Sequence, residues 1–123
     1  MNSTFTKILR LILALGLIVF GLNKFIGFMP MPELPTQAAN FMSSLNATGY
    51  VLPIVGALEV IIGLLLLFNK AVPFALLLLV PISVNIVLFH LFMDLPDIWG
   101  ALVIAIINAI LIYKHWKLYR PLF

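Results

Sequence analysis

Two residues of opposite charge lie well inside apolar segments of this sequence, and they are its first candidates for chemistry. Lys24 follows Asn23 near the end of the first apolar segment, and Glu59 lies within the second. An isolated charge in hydrocarbon costs roughly 3 kcal/mol or more. Glu59 is too far from the end of its segment to reach water, so it must pair with Lys24 or hold a proton. The sequence therefore predicts a Lys24–Glu59 pair.

Each apolar segment also places a polar residue on one face with small or kinking residues. At about 100° per residue, Asn23 aligns with two glycines, Asn85 with a proline and Asn108 with two alanines. Polar residues within membrane spans usually face the interior of the bundle. We therefore expect one polar cluster in the outer half of the molecule, formed by Asn23, Lys24, Glu59, Asn85 and Asn108. This cluster could hold the helices together through polar contacts, or it could form a ligand site.

His90 is a further candidate ligand residue, although a second interpretation stays open. It lies about 140° around its helix from Asn85 and one turn before Asp94. An interfacial histidine paired with Asp94 and a functional ligand are both compatible with this position. His115 lies on the opposite side and the chain has no cysteine, so no metal or haem site is predicted.

No catalytic constellation is recognisable. The sequence has no glycine-rich phosphate loop, no serine, histidine and acid on one side, and no carboxylate pair at a working distance. The catalytic residues are therefore left unassigned, and the sequence does not predict an autonomous enzyme.

The elements that must position these residues are apolar segments. The chain is 64% hydrophobic and 9% charged, against about a quarter charged in soluble domains. A membrane helix needs about 20 mostly apolar residues. Four stretches reach or approach that length, at residues 8–28, 51–68, 71–93 and 98–113. We predict an all-α, integral membrane four-helix bundle that forms a single domain over residues 1–123.

A short helix is predicted between the first two segments. Ala38, Phe41, Met42 and Leu45 recur at helical spacing after a proline-rich stretch, with Thr36 as a candidate cap and Gly49 as a candidate end. We expect an amphipathic helix lying at the outer interface, although a packed loop would also fit.

Charge placement predicts the orientation of the chain. Six of the seven basic residues fall on one side of the four-span arrangement, and the acids Glu33, Asp94 and Asp97 fall on the other. Because lysine and arginine gather on the cytoplasmic side, both termini are predicted to be cytoplasmic. The net charge of +3 is too small and scattered to indicate nucleic acid.

Two motifs resemble the DoxX-like family of small membrane proteins. They are G-x-x-K in "FGLNKFIGFMPMP", with Gly21 and Lys24, and G-x-x-E-x-x-x-G in the second segment, with Gly56, Glu59 and Gly63. The asparagine and histidine of the third segment correspond to Asn85 and His90, and the resemblance extends from about Leu11 to the tail. It implies a four-helix protein of the bacterial inner membrane, in a family linked in part to thiosulfate:quinone oxidoreduction and to oxidative-stress complexes.

Three functional hypotheses follow. The first is a membrane subunit of a redox system, with a quinone or another small molecule near Asn23, Lys24, Glu59, Asn85, His90 and Asn108. Because the chain has no cysteine, it needs a bound cofactor, a quinone or a partner subunit for redox work. The second is an accessory or structural subunit, in a homo-oligomer or a larger complex within the lipid bilayer. The third, a small transporter, ranks last because no row of pore-lining polar residues is present.

Overall fold

The computed structural model describes residues 3–26 and 34–123, and all regular structure in these ranges is helical. Its α-helices are α1 (Thr4–Ile26), α2 (Thr36–Ala47), α3 (Val51–Leu67), α4 (Val72–Met93), α5 (Trp99–Lys114) and α6 (Trp116–Tyr119). Short 3-10 turns follow at Leu95–Asp97 and Arg120–Leu122. Helices thus cover the four predicted apolar segments. The predicted end of the first segment at residue 28, and Glu33, lie outside the described residues.

Among the described residues, two helices are by themselves long and apolar enough to cross a membrane, namely Thr4–Phe25 within α1 and the whole of α4. The number rises to four if each of two bent helix pairs is one span. These pairs are α2 with α3, bent by 90°, and α5 with the segment Trp116–Leu122, bent by 77°. Large apolar side chains cover the outside of the helices, for example Phe20, Ile54 and Leu88. Such a surface indicates a lipid bilayer as the environment.

Helix α1 packs along α3, and α4 packs along α5. The side chains between them form an apolar core that includes Leu13, Leu17, Ile62, Leu66, Leu76, Leu79 and Leu111. Apolar residues recur at three- and four-residue spacing on α1, α3, α4 and α5, so one stripe of each of these four helices faces this core.

Glycines allow α1 and α3 to approach closely. A Cβ atom added to Gly21 would lie 2.8 Å from the carbonyl oxygen of Gly56, and one added to Gly63 would lie 2.9 Å from that of Ala14. Small residues let membrane helices bring their backbones together in this way. Gly16 of the same helix approaches α5, where an added Cβ would lie 3.6 Å from the Ile104 Cδ1 in ordinary contact.

Three contacts gather the basic residues at one end of the molecule. The Arg10 guanidinium donates to the carbonyl oxygens of Leu66 and Leu67, which adds a side-chain donor at the end of α3, where carbonyls lack the next helical turn. The Tyr119 hydroxyl donates to the carbonyl oxygen of Pro73 at the start of α4 over 2.6 Å. The N-terminus, the α3–α4 turn and the C-terminal tail therefore share an end, here called the basic end, with Lys7, Arg10, Lys70, Lys114, Lys117 and Arg120.

The predicted helix between the first two segments is present as α2. It ends before Gly49, whose φ of +79° is a left-handed conformation that favours glycine after a helix. Thr36 is the first helical residue, and no side chain caps the start of the helix, so the predicted cap is wrong. The cap position falls on Pro35, which has no hydroxyl to offer.

Candidate intramembrane polar site

The structure forms the predicted ion pair between α1 and α3. The Lys24 Nζ lies 2.5 Å from the Glu59 Oε1, and the Glu59 side chain is only 2% exposed. The Lys24 side chain is 24% exposed, so the lysine remains partly accessible from outside while it contacts the buried carboxylate. The lysine inside the first apolar segment is therefore held by a partner.

The glycines explain how the two charges meet. Gly21 precedes Lys24 by three residues, and Gly56 precedes Glu59 by three, so each glycine lies on the same helix face as its charged neighbour. A Cβ on Gly21 would lie 3.1 Å from the Glu59 Cβ, and a Cβ on Gly56 would lie 3.1 Å from the Lys24 Cβ. Each glycine therefore makes room for the charged residue of the opposite helix.

Asn108 belongs to a second polar pair, which joins α4 to α5. The Ser83 hydroxyl donates to the Asn108 Oδ1 over 3.2 Å, and the Asn108 Nδ2 donates to the carbonyl oxygen of Leu76 over 3.1 Å. Both side chains are buried, at 4% and 3% exposure. The contacts of Asn108 are with α4, and they do not include Lys24 or Glu59.

Sequence reasoning missed Ser83, although a signal was present. The buried residues of α4 are Val72, Ala75, Leu76, Leu79 and Ser83. These positions follow the spacing of a core stripe, which Ser83 extends by one turn. The spacing of the buried residues on α4 therefore identifies the interior polar residue as Ser83, whereas the stronger polarity of Asn85 does not.

Asn85 does not join an interior cluster. Its side chain is exposed, and its Nδ2 donates to the carbonyl oxygen of Pro81 one turn earlier over 2.7 Å. An asparagine that bonds to its own helix does not need a partner on another helix. The expectation that Asn85 faces the bundle interior is therefore wrong, and the single expected cluster divides into separate pairs.

His90 pairs with Asp94 at the acid-bearing end of α4, as the first of its two interpretations predicts. The His90 Nδ1 lies 3.6 Å from the Asp94 Oδ2 and 3.2 Å from the Asp94 carbonyl oxygen. The Asp94 side chain is 1% exposed, and neither carboxylate oxygen has a hydrogen-bond partner within the described residues. Burial raises the pKa of Asp94, the nearby Asp97 raises it further, and His90 opposes the shift.

Asn23 is partly buried on α1, directly before Lys24. Within the described residues, no group of three or more histidine, cysteine, aspartate or glutamate side chains could hold a metal ion.

A groove of about 480 Å³ lies between α4 and α5, with Ser83 and Asn108 among mostly apolar walls. A second groove, of about 340 Å³, lies on the outside of α3 near Ile61. Neither groove includes Lys24 or Glu59.

Apolar helices joined through buried polar pairs define this molecule as a helical membrane protein. The family model of DoxX matches residues 5–91, which is most of the chain, and the protein belongs to the DoxX family. The matched range includes both Lys24 and Glu59, and it stops within α4, before Asn108 and the C-terminal tail. No curated protein and no solved structure matches the chain. Family and helices together indicate a multi-pass membrane protein.

Proposed function

We propose that this protein is the membrane subunit of a redox system, and that its Lys24–Glu59 pair binds the polar head of a small lipophilic molecule such as a quinone. The observation that carries the proposal is the accessible lysine on a buried carboxylate inside an apolar segment. Intramembrane ionisable residues mark substrate, ion or proton sites far more often than their number would suggest.

The proposed arrangement is a single domain with four spans, formed by α1, α3, α4 and α5, in a bacterial inner membrane. Helix α2 then lies along the outer interface, which its 90° bend from α3 supports. The basic end faces the cytoplasm, following the positive-inside rule, and both termini lie there.

The chemistry of the pair suits a carbonyl-bearing ligand. The Lys24 ammonium can donate a hydrogen bond to a carbonyl oxygen, and Glu59 can exchange a proton with the reduced hydroxyl form. The chain has no cysteine to carry electrons, so a partner subunit or bound cofactor supplies them. Since Asn85, His90 and Asn108 have other contacts, the proposal narrows the site to Asn23, Lys24 and Glu59.

A second candidate function is an accessory subunit in which the pair only fastens α1 to α3. The observation that favours it is the near-complete burial of Glu59 against close glycine contacts, with neither groove reaching the pair. Buried ion pairs often specify packing rather than chemistry. A small transporter gains no comparable support, because the buried polar groups form separate pairs.

Native mass spectrometry of protein gently extracted from its own membrane tests the proposal. The unchanged protein is expected to carry a quinone-sized mass, and Glu59→Gln is expected to lose it. Asn108→Leu is the matched control, because it removes a buried polar group from the other pair and should keep the ligand. A protein that is always bare, or is recovered only with larger partners, would support the accessory role.

A further inference from the structure

The chain turns sharply after α5. The segment Trp116–Leu122 is bent by 77° from Trp99–Lys114. If α5 runs across the bilayer, a segment at this angle runs nearly parallel to its surface. The tail is therefore placed where lipid head groups lie.

A buried tyrosine holds the tail in this position. The Tyr119 ring is buried, and its hydroxyl donates to the Pro73 carbonyl oxygen over 2.6 Å. Burial raises the pKa of Tyr119 to about 12, so the hydroxyl stays protonated and can donate at any physiological pH. This hydrogen bond joins the tail to the start of α4.

The outward surface of the tail is cationic. Lys114, Lys117 and Arg120 are exposed, and residues 98–123 contain no acidic residue. The ion pairs found among the described residues do not involve these three side chains. Their charges are therefore available to an external anion.

Apolar and aromatic side chains alternate with these cations. Trp116 and Leu118 are exposed, as are Leu122 and Phe123, and the Trp116 ring stacks on Phe123 with centroids 5.9 Å apart. Tryptophan and long basic side chains prefer the head-group level of a bilayer, with the ring body in the apolar layer and the charge in water. A soluble acidic partner would meet the cations but would not require the exposed rings.

We propose that residues 113–123 form a surface that binds anionic phospholipid head groups. Lys114, Lys117 and Arg120 contact the lipid phosphates, while Trp116 and Leu122 enter the apolar layer just below. Polybasic segments next to a membrane helix concentrate anionic lipids, each cation contributing about fivefold near the surface. This inference needs α5 to cross the membrane by itself, with the segment Trp116–Leu122 at the interface, and it is independent of any ligand at Lys24 and Glu59.

Selective quenching of Trp116 tests the proposal. The chain has two tryptophans, so Trp99→Phe leaves Trp116 as the sole reporter in the full-length protein. The protein is reconstituted in phosphatidylcholine vesicles that contain a minor fraction of brominated lipid, either phosphatidylglycerol or phosphatidylcholine. Stronger quenching by the anionic lipid measures its local enrichment around the tail.

We expect brominated phosphatidylglycerol to be enriched at least about fivefold over brominated phosphatidylcholine, and high salt to reduce the preference. The triple variant Lys114→Gln, Lys117→Gln, Arg120→Gln should lose it. Lys7→Gln is the matched control, because it removes an exposed cation from the same end outside the tail, and it should keep the preference. Equal quenching by both lipids, or a preference that survives in the triple variant, would overturn the proposal.

Discussion

Two polar pairs join neighbouring helices of this protein, and they differ in charge and in access. Lys24 and Glu59 connect α1 to α3 as an ion pair with one accessible member. Ser83 and Asn108 connect α4 to α5 as a neutral pair, buried on both sides and completed by a backbone carbonyl. The polar groups of the neutral pair thus have hydrogen-bond partners within the fold. The ion pair leaves a charged donor at the surface of an apolar helix, where a ligand can reach it.

The difference also predicts unequal energetic roles. Interhelical hydrogen bonds between neutral groups in membranes contribute about 0.6 kcal/mol on average. Removing one partner of a buried ion pair costs about 3–5 kcal/mol, because the other charge remains uncompensated. Variants of the two pairs should therefore separate clearly in stability.

The largest effect is expected from Lys24→Met, which leaves Glu59 without its partner in a low-dielectric environment. We expect a loss of about 3 kcal/mol in the free energy of unfolding, at the lower end of the range because Lys24 is partly exposed. Reversible unfolding in mixed micelles measures it. The double variant Lys24→Met, Glu59→Leu should recover most of the loss. A double variant as unstable as the worse single variant would show that the two residues are not energetically coupled.

The close approach that aligns the ion pair can be disrupted separately. Gly21→Ala would place a Cβ 2.8 Å from the Gly56 carbonyl oxygen. Backbone atoms cannot move aside cheaply, so we expect a loss of about 1–3 kcal/mol in unfolding free energy. Gly100→Ala is the matched control, because nothing lies within 4 Å of its added Cβ. It should be neutral or slightly stabilising, and equal losses in both variants would contradict the close-packing account.

A smaller effect is expected at the neutral pair. Asn108→Leu removes the bonds to Ser83 and Leu76. We expect a loss of about 1 kcal/mol in the same unfolding experiment, because two bonds of about 0.6 kcal/mol each are removed and the freed groups can find other partners. If Asn108→Leu lowered the unfolding free energy as much as Lys24→Met does, the two pairs would not differ in stability, and the role assigned to charge would be wrong.

The smallest predicted effect is a pH dependence from Asp94, outside the apolar segments. Its pKa is raised above the ordinary value of 3.8, so the folded state binds this proton more tightly than the unfolded state. Its stabilising contribution is therefore present below pH 3.8 and is lost as pH rises through the raised pKa. Asp94→Asn should flatten this part of the profile of unfolding free energy against pH. Asp97→Asn should reduce the pH dependence, because Asp97 contributes to the raised pKa of Asp94. An unchanged profile in Asp94→Asn would contradict the assignment.

The helices and the ion pair could be predicted from the sequence, because both follow from large energies. Long apolar runs have few alternatives to helices in lipid, and a charge within such a run requires a partner, which for Glu59 is Lys24. The presence of α2 was readable for a similar reason, since Ala38 and Leu45 share one face. Its position at an interface remains a prediction.

The finer placement of polar groups could not be predicted, because it depends on weak and competing bonds. Asn85 satisfies itself on its own helix through Pro81 and faces outward. Ser83, a weaker polar group, lies on the buried stripe, and its hydroxyl donates to the Asn108 Oδ1. The bonds from the Arg10 guanidinium to carbonyls at the end of α3 were not among the expectations from the sequence. Helical spacing alone does not distinguish these outcomes.

The central claim is that the Lys24–Glu59 pair binds a ligand in addition to joining two helices. Its most direct test is native mass spectrometry of the double variant Lys24→Met, Glu59→Leu, whose stability should be close to that of the unchanged protein. The account predicts a quinone-sized mass on the unchanged protein and none on the equally stable double variant. A double variant that keeps this mass, or an unchanged protein that never carries it, would contradict the account.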